Sequence, residues 1–165
     1  MDKIILIEAN RELENCAVEY KQEHFNHGES IINGSEMWDK SDNYNKWLER
    51  VSKSSNPITD VFFAVRENDK KMVGIICLRH ELNDFFKDFG HIGYSVRPSE
   101  RRKGYATEML RQILIIANQI GLQQVQLSCE NDNIPSVRTI LKNGGIYERS
   151  YQYRENPADV FIVRL

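Results

Sequence analysis

Cysteine is scarce in this chain of 165 residues. It occurs three times, at Cys16, Cys77 and Cys129, with no CxxC pair and no histidine at the spacing of a zinc site. A sparse, odd set of this kind argues against a disulfide framework and against a metal centre. It is typical of proteins in a reducing compartment, so we expect a cytoplasmic location and no bound metal.

Long apolar runs are missing as well. No run reaches the roughly 18 residues that a membrane-spanning helix needs. The opening segment, MDKIILIEAN, holds only a short apolar stretch and lacks the apolar core of a signal peptide. Its alternation predicts a first strand, and we expect no membrane partner.

Neither sign of charge is in clear excess. The chain carries 22 basic and 24 acidic residues, for a net charge of −2. Proteins built mainly to hold nucleic acid usually show a basic excess, so no nucleic-acid partner is expected. The chain is 41% hydrophobic and 28% charged, as an ordinary globular protein is, and its length fits one domain over residues 1–165.

Apolar residues recur with a period that changes along the chain, and this predicts the secondary structure. The predicted strands lie at 3–8, 61–66, 72–80, 89–97, 125–129, 147–153 and 160–165, and the helices at 11–29, 36–53, 104–120 and 133–143. This order predicts an α/β fold, with a mixed, mostly antiparallel sheet of about seven strands flanked by about four helices.

The segment 97–106, RPSERRKGYA, lies between a predicted strand and a strongly periodic helix. The start of a helix offers free backbone N–H groups, which bind anions such as phosphate. Gly104 allows close approach of a phosphate, and Ala106 is small enough to let a ligand lie near the helix axis. Three neighbours add positive charge: Arg101, Arg102 and Lys103. The alternative is a basic surface turn that binds nothing.

Arg101-x-x-Gly104-x-Ala106 resembles the pyrophosphate loop of the GNAT superfamily of N-acetyltransferases, (Gln/Arg)-x-x-Gly-x-(Gly/Ala). As in that superfamily, it follows a strand that ends Tyr94-Ser-Val-Arg-Pro. The resemblance implies acetyl-CoA as acyl donor, held by residues 101–107: Arg101, Arg102, Lys103, Gly104, Tyr105, Ala106 and Thr107. It covers residues 60–150, the expected acetyl-CoA-binding core, whereas residues 1–58 match only in layout and would form helices on the acceptor side.

A second segment supports the resemblance. Asn133-x-x-Ser136 opens a helix that ends Lys142-Asn-Gly-Gly, similar to the GNAT segment in which an asparagine holds the pantetheine arm of CoA. The alternative role of Asn133 is helix capping. The family also implies that pantetheine pairs with the strand edge near Tyr94, Ser95 and Val96, where a backbone N–H would polarise the thioester.

The resemblance also suggests candidates for the general base. Many GNAT enzymes use a carboxylate or histidine on the central sheet as base, and His91 and Glu81 are the candidates, with His80 beside them. A one-residue slip of register would instead turn His91 into the core. Gly90 and Gly93 suit a strand that another backbone approaches closely.

Many members also protonate the leaving thiolate with a tyrosine in the last helix. That position is Ile140 here, so the resemblance fails at this point. Tyr147, Tyr151 or Tyr94 would have to replace it, or water would do so. A third alternative is that the thiolate leaves unassisted, because a thiol pKa is only about 8.5.

The resemblance therefore implies direct transfer of an acetyl group to a primary amine of a small molecule or peptide. The alternative is a non-catalytic acyl-CoA-binding module. Many GNAT proteins dimerise, so the resemblance also allows a homodimer. Acidic residues are common in the amino-terminal third and either attract a cationic amine or are simply solvated: Glu12, Glu14, Glu23, Glu29, Glu36, Asp39 and Asp42.

Overall fold

The computed structural model describes all residues, 1–165. Its helices are α1 (Glu14–Asn26), α2 (Tyr44–Val51), α3 (Tyr105–Gln119) and α4 (Ile134–Lys142). Its strands are β1 (Ile4–Glu8), β2 (Thr59–Arg66), β3 (Met72–Arg79), β4 (Ile92–Val96), β5 (Gln124–Glu130), β6 (Ile146–Tyr153) and β7 (Asn156–Arg164). Seven strands and four helices confirm the expected fold class.

The strands form two antiparallel sheets, ordered β1-β2-β3-β4 and β5-β7-β6. The sheets meet at one place, an isolated bridge between Gly90 and Leu127, where the N–H of His91 donates to the carbonyl of Gln126 at 2.7 Å. Gly90 has φ +88°, and any side chain there would collide with the Gln126 backbone. Beyond this bridge β4 and β5 separate. We call the opening between them the donor gap.

Each face of the first sheet carries its own apolar cluster, because successive strand residues point to opposite faces. On one face Ile76 and Leu78 pack with Met109 and Ile113 of α3. On the other face Ile75 packs with a group of aromatic residues from α1, α2, β2 and the short 3-10 turn before α2: Tyr20, Trp38, Tyr44, Trp47 and Phe63. None of the helices is both long and apolar enough to cross a membrane.

Several predicted boundaries differ from the structure: the helix expected over 11–29 is shortened to α1, and the last strand begins at Asn156 rather than at residue 160. The helix expected over 36–53 is reduced to α2, because Asn43 caps it by accepting from the N–H of Lys46 at 2.9 Å. Upstream, Glu36 and Met37 have φ +48° and +68°, which no helix permits. Strand β4 begins at Ile92 rather than at residue 89, since the left-handed Gly90 interrupts the extended backbone.

Candidate active site

Strand β4 leaves part of its backbone unpaired on the side of the donor gap. Two bonds to β3 frame its ladder: the N–H of Arg79 to the carbonyl of His91 at 2.7 Å, and the N–H of Arg97 to the carbonyl of Val73 at 2.8 Å. Since hydrogen-bonding direction alternates along a strand, Tyr94 and Val96 direct their backbone groups into the gap.

Ser95, the third residue expected at this edge, faces elsewhere. By the same alternation its backbone faces β3, and its carbonyl also accepts from the hydroxyl of Tyr20 at 2.9 Å. Its own hydroxyl donates to the carbonyl of Asn33 at 2.8 Å. Ser95 therefore supports the segment 28–37 rather than the gap. We call this segment the acceptor loop.

At the mouth of the gap, α3 begins with a run of free backbone donors. The first helical bond runs from Glu108 N–H to the Gly104 carbonyl at 3.2 Å. No N–H from residue 102 to residue 107 has a partner in the protein. Gly104 has φ +87°, which turns the chain into the helix. Consecutive free N–H groups at a helix start form an anion site.

Arg101 is occupied within the protein, contrary to the expectation of a free cation. Its guanidinium donates to both carboxylate oxygens of Glu29, at 2.6 and 2.8 Å, and its Nε donates to the Val96 carbonyl at 3.2 Å. The hydrogen bonds from Arg101 lower the pKa of Glu29 to about 2. The pair joins the acceptor loop to the pyrophosphate loop, residues 101–106.

Lys103 is also paired, with Glu100. The Glu100 side chain is only 4% exposed and contacts Lys103 and Lys71 at 2.7 Å and Arg66 at 3.0 Å. Burial works to raise the pKa of Glu100, but the bonds from these lysines outweigh it and lower the pKa to about 2. Of the three cations predicted to hold phosphate, only Arg102 forms no ion pair.

The inner wall of the gap is formed by Tyr94 and the start of α4. The Tyr94 hydroxyl lies 2.8 Å from Ser136 Oγ, and burial raises the Tyr94 pKa to about 12. Asn133 caps α4, its Oδ1 accepting from the Ser136 N–H at 3.3 Å. Its side-chain NH₂ makes no bond within the protein, so capping and ligand contact are compatible in one residue.

The position at which GNAT enzymes often carry a tyrosine is buried in this protein. Ile140 is fully buried and packs against the chain at Gly145. Among the tyrosines considered as substitutes, Tyr147 is 55% exposed and bonds to Ser150 at 2.8 Å. Tyr151 bonds to Ser128 at 3.2 Å. Only Tyr94 lies on the strand that borders the gap.

His91 joins the two sheets, and this argues against its predicted role as a base. Its Nδ1 accepts from the N–H of Gln126 at 2.9 Å. A neutral imidazole then carries its proton on Nε2 and has no free lone pair. Burial, and then the charge of Arg79, lower its pKa. The geometry favours the alternative, in which His91 has a structural role.

The other two proposed bases, His80 and Glu81, directly follow the end of β3. Glu81 is exposed just after β3 and has no hydrogen bond or ion pair. His80 Nε2 pairs with Asp60 Oδ2 at 2.7 Å. Asp60 borders a separate concavity of about 450 Å³ formed by the ends of β1 and α2 with the start of β2.

Sequence reasoning missed an ion pair beside the bridge. Arg79 Nη2 donates to Glu36 Oε1 at 2.7 Å, and Arg79 Nη1 donates to the Gly90 carbonyl at 3.1 Å. The guanidinium also lies over the Phe86 ring, 4.2 Å from its centroid. Glu36 was only one of many acidic residues in the sequence, and no signal marked Arg79 as its partner.

Comparison with known proteins agrees with this geometry. A family model described as "Acetyltransferase (GNAT) domain" matches residues 15–146. This chain belongs to the GNAT acetyltransferases. Among curated GNAT proteins, the uncharacterized N-acetyltransferase YnaD of Bacillus subtilis is 28% identical over 99 residues, 57% of this chain. The match spans 54% of YnaD, about half its length.

Solved structures share the GNAT fold over nearly the whole chain. The microcin C7 self-immunity acetyltransferase MccE, in complex with acetyl-CoA and AMP, has a TM-score of 0.74 at 18% identity, covering 100% of this chain and 94% of its own. The ribosomal-protein-S5-alanine acetyltransferase of Vibrio fischeri gives 0.76 at 13%, covering 99% and 94%. A dodecameric spermidine N-acetyltransferase of Vibrio cholerae gives 0.71 at 13%, covering 98% and 93%.

Proposed function

We propose that this GNAT protein is an acyl-CoA-dependent N-acetyltransferase that moves an acetyl group from acetyl-CoA to a primary amine by direct transfer in a ternary complex. One observation carries the proposal: a strand edge with open backbone groups at Tyr94 and an open N–H at Val96 leads to six consecutive unpaired N–H groups, residues 102–107. A linear ligand with an amide arm and a pyrophosphate end matches that order of groups.

The donor would lie along the gap with its diphosphate at the start of α3. The free N–H groups and the helix dipole favour the negative charge there, and Arg102 adds a cation. Pantetheine amides would pair with the β4 edge as an added strand does, and the NH₂ of Asn133 would approach from α4. The residues present therefore fit acetyl-CoA without a metal.

In the reaction the amine nitrogen attacks the thioester carbon, a C–N bond forms, and the C–S bond breaks. An unpaired N–H of β4, at Tyr94, would stabilise the oxyanion between these steps. The Tyr94 hydroxyl, whose raised pKa keeps it protonated, would donate its proton to the leaving sulfur and regain one from solvent, while Ser136 stays hydrogen-bonded to its oxygen. Glu81 stays a prediction as the group that takes the proton from the amine, with water as the alternative.

The nature of the acceptor is inferred from the same fold. The neighbours named above act, by their descriptions, on spermidine or a ribosomal protein. We infer that a small-molecule or peptide amine reaches the gap past the acceptor loop. The three free cysteines are consistent with the cytoplasmic location that we propose, and a homodimer remains part of the proposal.

A thermal unfolding experiment tests the donor site. At a hundredfold excess over its Kd a ligand adds about 2.7 kcal/mol, a rise in Tm of roughly 5–11 °C for a domain of this size. We expect that rise with acetyl-CoA and with CoA, and little with ATP as the phosphate-bearing control. No rise with millimolar acetyl-CoA would contradict the proposal.

A second measurement tests the chemistry. Release of free CoA thiol is followed with acetyl-CoA and a panel of primary amines that includes spermidine and peptides beginning with alanine or serine. Amine-dependent release is expected for at least one of them. Tight acetyl-CoA binding with no release on any amine would favour a non-catalytic acyl-CoA-binding module.

A further inference from the structure

We propose that Glu36 is the carboxylate that binds the ammonium group of the acceptor, and that it thereby determines the preference for cationic amines. This inference rests on the proposed function and assigns the acceptor side of the same site. It makes the Glu36–Arg79 pair part of the acceptor site rather than a surface ion pair.

Glu36 is held in a backbone conformation that its residue type disfavours. Both Glu36 and Met37 have positive φ, +48° and +68°, a region in which side-chain-bearing residues are strained. The strained segment is fixed from α2: the indole N–H of Trp47 donates to the carbonyls of Ser35 and Glu36 at 2.9 and 3.2 Å, and Arg50 donates to the Glu36 carbonyl at 3.0 Å. Strain that the surrounding structure maintains in this way clusters at ligand sites.

The acceptor loop delivers this carboxylate to the closed end of the donor gap. Gly34 packs so tightly on Gly93 of β4 that neither position has room for a side chain without displacement. Gly93 pairs with Cys77 across β3 and β4. Burial, with Glu36 nearby as a contributing charge, raises the pKa of the Cys77 thiol to about 12. Glu36 therefore lies over the strand pair next to Tyr94, whose N–H would hold the thioester.

Half of the Glu36 carboxylate is free to bind. Oε1 accepts from Arg79, and the only other polar group of the protein close to the carboxylate is the Cys77 thiol, a weak donor. The side chain is 17% exposed, so a ligand can reach it while little water screens it. A carboxylate oxygen in such a place is a strong acceptor for a charged N–H donor.

Arg79 holds the carboxylate in position. Its guanidinium contacts Glu36, the Gly90 carbonyl at the bridge, and the Phe86 ring. Three segments of the chain are thus fixed around one cation, and its Nε is buried without a partner. If the pair existed only to neutralise charge, removing either member would have the same effect on amine binding. If Glu36 binds the ammonium group, the two removals differ.

The experiment measures binding of amines to the CoA-saturated protein by calorimetry. The probes are spermidine and an alanine-initiated peptide, each compared with its N-acetylated form. The variants are Glu36→Gln, which keeps an acceptor for Arg79, and Glu36→Gly, which also relieves the positive φ. Arg79→Gln is the opposite change, and Glu19→Gln on the exposed face of α1 is the matched control.

We expect the wild type and Glu19→Gln to bind the free amines at least tenfold more tightly than the acetylated forms. Both Glu36 variants should lose that preference while keeping their Tm response to acetyl-CoA. Arg79→Gln keeps an N–H donor that can hold the Glu36 carboxylate and removes a competing cation, so the preference should be kept or increased.

The assignment would be overturned by a preference that survives in both Glu36 variants, or by a wild type that binds CoA but shows no preference for free amines. Equal loss in Arg79→Gln and Glu36→Gln would overturn it as well. A wild type that binds no CoA would instead contradict the proposed function, and the thermal experiment separates that case.

Discussion

The donor gap and the acceptor loop are built by different means. The gap offers backbone groups: an unpaired β4 edge and the free N–H groups at the start of α3. The acceptor loop offers side chains, with Glu29 bonded to Arg101 and Glu36 to Arg79. Backbone groups are the same in every sequence, whereas side chains change freely. The comparison explains how one fold can keep its acyl donor while the acceptor varies.

The largest loss of stability is expected from a substitution at Gly90, where the two sheets meet. Gly90→Ala would place a methyl group against the Gln126 carbonyl at a positive φ. We expect it to lower the free energy of unfolding by roughly 3 kcal/mol, measured by urea denaturation. Gly28→Ala is the control, because φ is also positive there and no atom lies within 4 Å. Equal losses in the two variants would show that the bridge does not define the gap.

A second substitution tests whether the backbone at the start of α3 binds the acyl donor. Gly104→Ala strains the turn into α3 and puts a methyl group where phosphate should approach. Acetyl-CoA should bind at least tenfold more weakly by calorimetry. Gly121→Ala, at the other end of the same helix with positive φ and open space around it, should bind normally. Unchanged acetyl-CoA binding by the Gly104→Ala variant would show that the phosphate does not bind at this turn.

The third prediction concerns the one side chain on the donor side to which we assign chemistry. Tyr94→Phe keeps the ring but removes the hydroxyl that contacts Ser136. We expect kcat to fall about tenfold with KM for acetyl-CoA unchanged, which is below the usual range of general-acid effects because a thiolate leaves readily. Tyr147→Phe is the control and should retain full kcat. A normal kcat in Tyr94→Phe would indicate unassisted thiolate departure.

The smallest effect, on acetyl-CoA affinity, is expected from a change in the Glu29–Arg101 ion pair, which joins the acceptor loop to the pyrophosphate loop. Glu29→Gln removes the charge that holds Arg101 and makes the pyrophosphate loop more positive. Acetyl-CoA affinity should rise about two- to fivefold at low salt and less at high salt, since exposed charges are screened. Reduced affinity would mean that Glu29 serves to position Arg101.

Sequence reasoning reached the donor side because its signals are local. Gly104, Ala106 and the helical period after them lie within a few residues, and the free N–H groups follow from the start of a helix. The cap at Asn133 was foreseen for the same reason. Its uncommitted NH₂ leaves the predicted ligand contact open.

The acceptor side depends on contacts that no local pattern reports. Glu36 and Arg79 are separated by 43 positions, and Glu29 and Arg101 by 72. The sequence predicted Arg101 and Lys103 as phosphate ligands from their charge, but charge alone does not reveal which carboxylates fold against them. The bond between His91 and Gln126 could not be foreseen either, because it depends on how two sheets meet.

A single bridge at Gly90 is the only strand pairing between the two sheets, although they share one apolar core. Apart from α3 and α4 packing, little backbone pairing ties β5, β6 and β7 to the rest of the molecule. A ligand laid along the gap would act as the missing strand between the sheets. Slower hydrogen exchange should then appear in β5 and β7, well beyond the atoms the ligand touches, so that the acyl donor completes the protein's own architecture while it is bound.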